Sequence, residues 1–393
     1  MLAGLLFAIA ESDDRPERLT ATLPFGGVTL IEYQARLLVE AGVSQIIILV
    51  ARLTPELLGA VSRIGKRGVT VDAVRHASEA AAKLHPLARV LMLADGLITT
   101  ERVVATLAEE GGDALLVVPQ AEAGAVFERL GGGQAWAGVA RLDPRRIGEA
   151  ARLPPDYDAQ STLVRVAEQA RAVHVMLPPE ALAHGHGIER NGGALAERGR
   201  AVLAAIVSDR RGWFDRWVLA PLARVALPAM IDRRWPGAGV GAAGGVLGMA
   251  GLAAIGLGWS VAGLALAFVA CVVLGIGATL SGLRDEAGVE RAQRGAGLLI
   301  PAAAALFLGA AEGGRAGDVA ALAVAIAAVT LATLAERAGP ERLRQWWWGS
   351  ASAYLLIVLA GAALAWPVIG LAAAAAYATA TVAAAIERLR PQA

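Results

Sequence analysis

The sequence predicts an α/β domain, residues 1–208, with helices on both faces of a sheet, then an all-α bundle of six transmembrane helices, residues 237–393, with residues 209–236 forming an amphipathic interfacial helix between them. Three observations lead there. The hydrophobic fraction is 56%, above the about 45–50% of ordinary globular chains, and the excess lies in residues 237–386, which are nearly all Ala, Gly, Leu and Val. Before Asp209, strand-like runs alternate with helical stretches. In the apolar half, arginines gather in every second loop.

The opening "MLAGLLFAIAESDD" has no basic leader, a short apolar stretch and acids directly after it, so it reads as a buried first strand rather than a signal peptide. Strand-like runs recur at Leu2–Ala10, Gln45–Val50, Thr70–Arg75, Arg89–Leu93, Ala114–Val118 and Ala135–Arg141, with helical stretches such as Leu30–Glu40 and Thr100–Glu109 between them. Ligands of such sheets bind at the carboxyl ends of strands. "LMLADGLI" puts Asp95 at one of these ends. The single Cys271 sits in an apolar run and cannot form an intrachain disulfide, and a net charge of +1 gives no case for nucleic acid. His184 and His186 lie two apart in the glycine-rich "AHGHGIERNGG", which reads as a flexible surface loop because no third His or Cys is near in sequence. His76, His85 and His174 read as ordinary polar positions beside strands.

Residues 209–236 carry Trp213, Phe214, Trp217, Val218, Pro221, Leu222 and Val225 at helical spacing, with Arg210, Arg211 and Arg216 on other faces. That pattern places a helix in the lipid interface with Trp213 and Trp217 at headgroup depth. "RQWWWGS" at 344–350 reads as a second aromatic belt. A span of about 30 Å of hydrocarbon takes about 20 apolar residues, and six segments are expected, at 238–258, 259–280, 295–311, 317–335, 350–366 and 367–386, the "GWS" and "AWP" joints dividing two longer runs. Arg233 and Arg234 precede the first, Arg284, Arg291 and Arg294 follow the second, Arg337, Arg342 and Arg344 follow the fourth, and Arg388 and Arg390 follow the sixth. The positive-inside rule makes that side cytoplasmic, with both termini there, in a bacterial-type inner membrane.

"GGVTLIEYQARLLVEAGVSQIIILV", "LADGLI" and "WAGVARLDP" resemble segments of sugar-phosphate nucleotidyltransferases, whose Rossmann-like fold the first 190 residues would share. By that resemblance Asp95 stands where the family holds Mg²⁺, and Arg18 stands where it has a nucleotide-binding Arg. The family also cradles phosphates on a glycine-rich loop after its first strand. Here that loop is "AIAESDDRPERLTATLPFGG", with Glu11, Asp13 and Asp14 and no glycine before Gly26. These acids read as solvated loop charges.

The whole chain resembles the bifunctional enzymes that join a cytidylyltransferase to a CDP-alcohol phosphotransferase. The latter carry D-x2-D-G-x2-A-R-x8-G-x3-D-x3-D, whose aspartates hold two divalent metals. With Gly282 as its first glycine, Gly295 takes the second, and the four aspartate positions fall on Ala278, Ser281, Leu299 and Ala303. No metal ligand remains, and Asp285, Glu286 and Glu290 are the candidate substitutes. The resemblance therefore implies a catalytically degenerate membrane protein of phospholipid or polar headgroup metabolism, bound to the bilayer and pairing as a homo- or heterodimer with a related membrane enzyme. The alternative is an active Mg²⁺-dependent transferase with non-standard ligands. Transport ranks behind both, because no charged residue interrupts the spans beyond Asp318 at the very start of the fourth.

Overall fold

The computed structural model describes residues 1–124, 126–154, 157–208, 212–233, 235–284, 286–338 and 345–389. Asp209, Arg210, Arg211, Arg234, Asp285, Arg342, Arg344 and Arg390, which the sequence singled out, lie outside the described residues. The chain divides into two compact units, Met1–Ile206 and Val207–Ala393.

The first unit is built on strands β1 Leu2–Ala8, β2 Pro24–Phe25, β3 Val28–Thr29, β4 Gln45–Val50, β5 Thr70–Val74, β6 Arg89–Leu93, β7 Leu97–Ile98, β8 Ala114–Pro119, β9 Glu128–Arg129, β10 Gln134–Leu142, β11 Val173–Met176 and β12 Gly187–Ile188. All six strand-like runs of the sequence form strands of one sheet. Its order is β11-β8-β10-β6-β1-β4-β5, with β9 added to β10. The sheet is mixed: β1 pairs in parallel with β4 and β6, whereas β10 runs antiparallel to both β6 and β8. β1, β4 and β6 are apolar almost throughout and buried, as expected for strands covered on both faces.

The helices of this unit are α1 Leu30–Glu40, α2 Pro55–Gly65, α3 Ala77–Lys83, α4 Glu101–Ala108, α5 Pro144–Ala150, α6 Ala159–Gln169, α7 Pro179–Ala183 and α8 Gly192–Ser208. Their starts are written in the sequence. Thr29 and Glu32 close a capping box on α1, the Thr29 N–H donating to Glu32 Oε2 at 3.0 Å. Thr54 caps α2 ahead of Pro55, and Asp158 caps α6 by accepting from Ser161 N at 2.7 Å.

The second unit begins with a π-helical turn, Asp215–Leu219, that runs into α9 Ala220–Asp232. The expected interfacial helix is apolar on two sides rather than one. Phe214, Leu219, Ala220, Ala223 and Leu227 are buried, and the last four form a core with Val240, Ile276 and Leu280. Trp217, Leu222 and Val225 point outward, with the Arg216 guanidinium 6.0 Å from the Trp217 ring centre. The two aromatic belts of the sequence also meet. The Trp213 indole N–H donates to Tyr377 Oη at 2.8 Å, and its backbone N–H donates to the carbonyl of Trp346 at 2.8 Å.

Then follow α10 Gly237–Gly256, α11 Ser260–Leu283, α12 Ala287–Ala316, α13 Ala320–Ala338, α14 Ala351–Ala363 and α15 Pro367–Leu389. Five of these, all but α14, are long and apolar enough to cross a membrane. The segment expected as a span at 350–366 yields only the 13 helical residues of α14, about 20 Å at 1.5 Å per residue, because the chain turns at Leu364 to Trp366 before α15. Outward-facing apolar side chains such as Val246, Met249, Leu299 and Ile369 cover the unit. That surface suits hydrocarbon rather than water. Exposed Trp259 follows the end of α10 and exposed Trp235 precedes its start, so the two rings are separated by its 20 residues, about 30 Å of helix.

Candidate functional site

β1 and β6 run side by side and end at the same edge, and the chain leaving β6 turns through Asp95 and Gly96. Gly96 has φ +79°, and a Cβ there would sit 2.5 Å from the Glu189 carbonyl, so the turn admits no side chain. Asp95 is thereby held against the chain leaving β1. The N–H groups of Ile9 and Ala10 both donate to Asp95 Oδ2 at 2.8 Å, while its own N–H donates to Gln160 Oε1 at 2.8 Å. Only 6% of Asp95 is exposed, and Oδ1 has no hydrogen-bond partner. Burial pushes its carboxyl from 3.8 up to about 6, against the opposing pull of the Ala10 and Ile9 amides and of Arg190.

Asp95 lines a cavity of about 420 Å³ whose other walls include Glu128, Asp158, Gln160, Arg165 and Arg190, over a floor of Phe7, Trp136 and Ile188. Glu128 faces Arg165 at 3.6 Å, and burial raises its carboxyl above the usual range. The sequence pointed to Asp95 but to none of these neighbours. β9 is a two-residue strand with no periodic signal, and Gln160, Arg165 and Arg190 reach the cavity from segments 65 to 95 residues further along the chain than Asp95.

In the loop after β1, Glu11, Asp13 and Asp14 are all exposed, as expected of solvated charges, and Asp14 has an added role: it accepts from the Ser12 hydroxyl and, at 3.3 Å, from the N–H of Gly192 at the start of α8. The Ser12 hydroxyl and the Gly192 N–H hold its carboxyl below the usual range. Ser12 N–H donates to Arg18 O at 2.9 Å and Asp13 N–H to Arg190 O at 3.1 Å. Arg18 is exposed, braces the loop through its backbone and does not line the cavity. The amides of Ile9, Ala10, Ser12 and Asp13 are therefore all satisfied within the chain. A phosphate cradle needs such amides free.

"AHGHGIERNGG" is not a surface loop throughout. His184 is exposed, but His186 is buried, with Nδ1 2.9 Å from Thr99 Oγ1 and Nε2 2.8 Å from the Ala137 carbonyl. The carbonyl can only accept, so Nε2 carries the proton and Nδ1 accepts from Thr99. Burial pushes His186 down from 6.5 to about 4.

These two groups set opposite pH dependences. The folded state binds a proton at Asp95 more readily than the unfolded chain does, so Asp95 adds stability as pH falls from about 6 to 3.8. The unfolded chain protonates His186 more readily, so its contribution is lost as pH falls from 6.5 to about 4. Each change is about 3 kcal/mol at 1.36 kcal/mol per pKa unit. In wild type they offset one another. Asp95→Asn leaves His186 alone, and its melting temperature, followed by scanning calorimetry, should fall from pH 6.5 to 4 much more steeply than that of wild type. Parallel profiles would refute the assignment.

In the helical unit Ser281 is buried and its hydroxyl donates to Glu286 Oε2 at 3.3 Å, while Glu290 pairs with Arg294 at 2.5 Å. A Cβ on Gly282 would lie 3.1 Å from Glu290 Oε1, so this glycine makes room for the carboxylate. Ala278 is buried, Ala303 is half-buried, Gly295 faces open space, and Leu299 is 71% exposed. The register through Gly282 and Gly295 therefore does not bring its four positions together. Gln293, which the sequence did not single out, turns inward instead: its Nε2 donates to the Gly237 carbonyl at 2.8 Å. Among the described residues no group of three or more His, Cys, Asp or Glu side chains is placed to hold a metal ion. Mg²⁺ usually takes one or two carboxylates together with substrate phosphates. Asp95 brings one buried, unpartnered oxygen, and the amides of Ile9, Ala10, Ser12 and Asp13 beside it are engaged within the chain.

No protein-family model matches the chain, and no curated protein matches it. Among solved structures, the crystal structure of UDP-glucose pyrophosphorylase complexed with UDP-glucose is similar over 51% of this chain and 98% of that one, at 12% identity and a TM-score of 0.37.

Proposed function

We propose that this chain is a catalytically degenerate, integral-membrane relative of the bifunctional cytidylyltransferase and CDP-alcohol phosphotransferase enzymes, and that it acts as a partner or scaffold subunit of an active membrane enzyme in phospholipid or polar headgroup metabolism. The observation that carries the reading is the closed loop after β1. Amides that would hold a nucleotide's phosphates are spent on Asp95, Arg18 and Arg190, and Asp14 sits on the N–H that opens α8. A carboxylate at that position would repel a phosphate. The helical unit supports the same reading, since Leu299 points away and Glu290 is engaged by Arg294. In this reading α10 to α15 supply six spans, α14 being a short one, with the arginine-rich loops and both termini on the cytoplasmic side of a bacterial-type inner membrane.

The full chain in lipid nanodiscs is expected to release no pyrophosphate from CTP and to transfer no headgroup from a CDP-alcohol, with or without Mg²⁺. Mg²⁺-dependent turnover that disappears in Asp95→Asn would establish the active-transferase alternative. Crosslinking in native membranes should recover a CDP-alcohol phosphotransferase that retains its aspartates, identified by mass spectrometry. Recovery of this chain alone would remove the heterodimer.

A further inference from the structure

We infer that the outer groove between α9, α10 and α11 holds one acyl chain of a resident phospholipid, whose phosphate Arg233 and Arg284 take at the mouth. The inference goes beyond the functional reading above: it needs these helices in a bilayer, but neither a loss of catalysis nor a partner subunit.

The groove has a volume of about 470 Å³, and its walls include Met230 of α9, Trp235 of the following turn, Gly239, Ala243 and Leu247 along α10, and Val273 of α11. All of these are apolar, so the occupant must present hydrocarbon. The depth fits one leaflet. Gly237 and Ser281 meet at one end of the unit. From that end Leu247 lies ten residues along α10 from Gly237, and Val273 lies ten residues before the end of α11 at Leu283. Both walls therefore run about 15 Å at 1.5 Å per residue, half of the about 30 Å hydrocarbon core.

The mouth supplies what a headgroup needs. Trp235 is 46% exposed beside it, as aromatic side chains are at a membrane–water interface. Arg284, the C-cap of α11, donates from its guanidinium to the Trp235 carbonyl, and exposed Arg233 closes α9 two residues before that ring. Two guanidinium groups at one end of an apolar groove match a phosphodiester with a hydrocarbon tail, because hydrogen bonds from Arg to phosphate are about twice as strong as neutral ones.

The groove is separate from the positions that align with the transferase motif. On α10, Gly237 and Gly241 meet Ser281, Glu286 and Gln293, whereas Gly239 and Ala243 stand about 200° further round the helix. A lipid held there is a resident of the fold and not a substrate.

The test is native mass spectrometry of the full chain, delipidated in detergent and offered phosphatidylglycerol, diacylglycerol with the same chains, or CDP-diacylglycerol. One phosphatidylglycerol per chain should stay bound at collision energies that strip the rest. Diacylglycerol, which lacks the phosphate, should bind at least tenfold more weakly. Ala243→Trp, on the exposed wall of the groove, should abolish retention. Arg233→Gln should weaken it without changing the melting temperature of the lipid-free chain. No retained phosphatidylglycerol, equal retention of diacylglycerol, or retention unchanged in either variant would overturn the inference. Displacement of phosphatidylglycerol by one equivalent of CDP-diacylglycerol would overturn it too, since the groove would then be a substrate site.

Discussion

Trp136→Ala should cost the α/β unit about 3–5 kcal/mol, the range for deleting a fully buried large aromatic, and leave it largely unfolded if its stability is near the lower end of the usual about 5–15 kcal/mol. The side chain is fully buried and its indole N–H donates to the Val139 carbonyl at 2.9 Å. That bond closes the irregularity in β10, where pairing with β8 slips between Trp136 and Ala140 and Gly138 takes φ +87°. The Gly138 carbonyl in turn accepts from Ala94 N–H at 2.8 Å, directly ahead of Asp95. The ring thus fixes the bulge, and the bulge fixes the acid. Trp136→Phe keeps most of the volume but leaves the Val139 carbonyl without its donor, and should cost about 1–3 kcal/mol. Hydrogen exchange of the full chain reads both: protection of β8 and β10 lost in the first variant and reduced in the second. Wild-type protection in Trp136→Ala would mean the ring does not hold the bulge.

Where a segment's own pattern decides its structure, the sequence was readable. β1, β4 and β6 are continuous apolar runs with turn residues after them, and α1 begins at its capping box. Asp95 was found because strand ends are where α/β sheets bind ligands. The rest of the cavity depends on contacts that no local pattern encodes. Asp95 and Ile9 are 86 residues apart, and His186 and Thr99 are 87 apart. A glycine-rich, polar string around His186 looks like loop, yet Thr99 and the Ala137 carbonyl satisfy its ring and allow it to be buried. The docking of Asp14 was hidden for the same reason, since its partner Gly192 lies 178 residues on. In the helical unit, composition located the helices but not which faces pack. Leu299 was placed by glycine spacing, whereas helix rotation is set by the helices it meets, and these bring Gln293, Ile300 and Ala304 inward instead.

Gly251→Leu is the change expected to do most damage to the helical unit. In lipid, association of helices depends on close packing rather than on the hydrophobic effect, so small residues at the crossing decide how near two backbones come. α10 and α11 cross at Gly251 and Gly263. A Cβ on Gly251 would stand 2.7 Å from the Gly263 carbonyl and 2.9 Å from Ala267 N, both backbone atoms that cannot rotate aside. Leucine would force the helices apart along their contact, and the cost should exceed the about 1–3 kcal/mol typical of overpacking by side chains alone. Gly245, on the same helix, has nothing within 4 Å of its would-be Cβ. Gly245→Ala should therefore be neutral to stabilising, since alanine is favoured over glycine in a helix by about 1 kcal/mol. Thermal unfolding in detergent, followed by size-exclusion chromatography, compares them directly. Gly251→Leu is expected to aggregate or melt well below wild type, and Gly245→Ala to run with it. If both variants behaved alike, glycine content rather than the α10 to α11 crossing would be what matters, and the small residues of this half would reflect composition instead of packing.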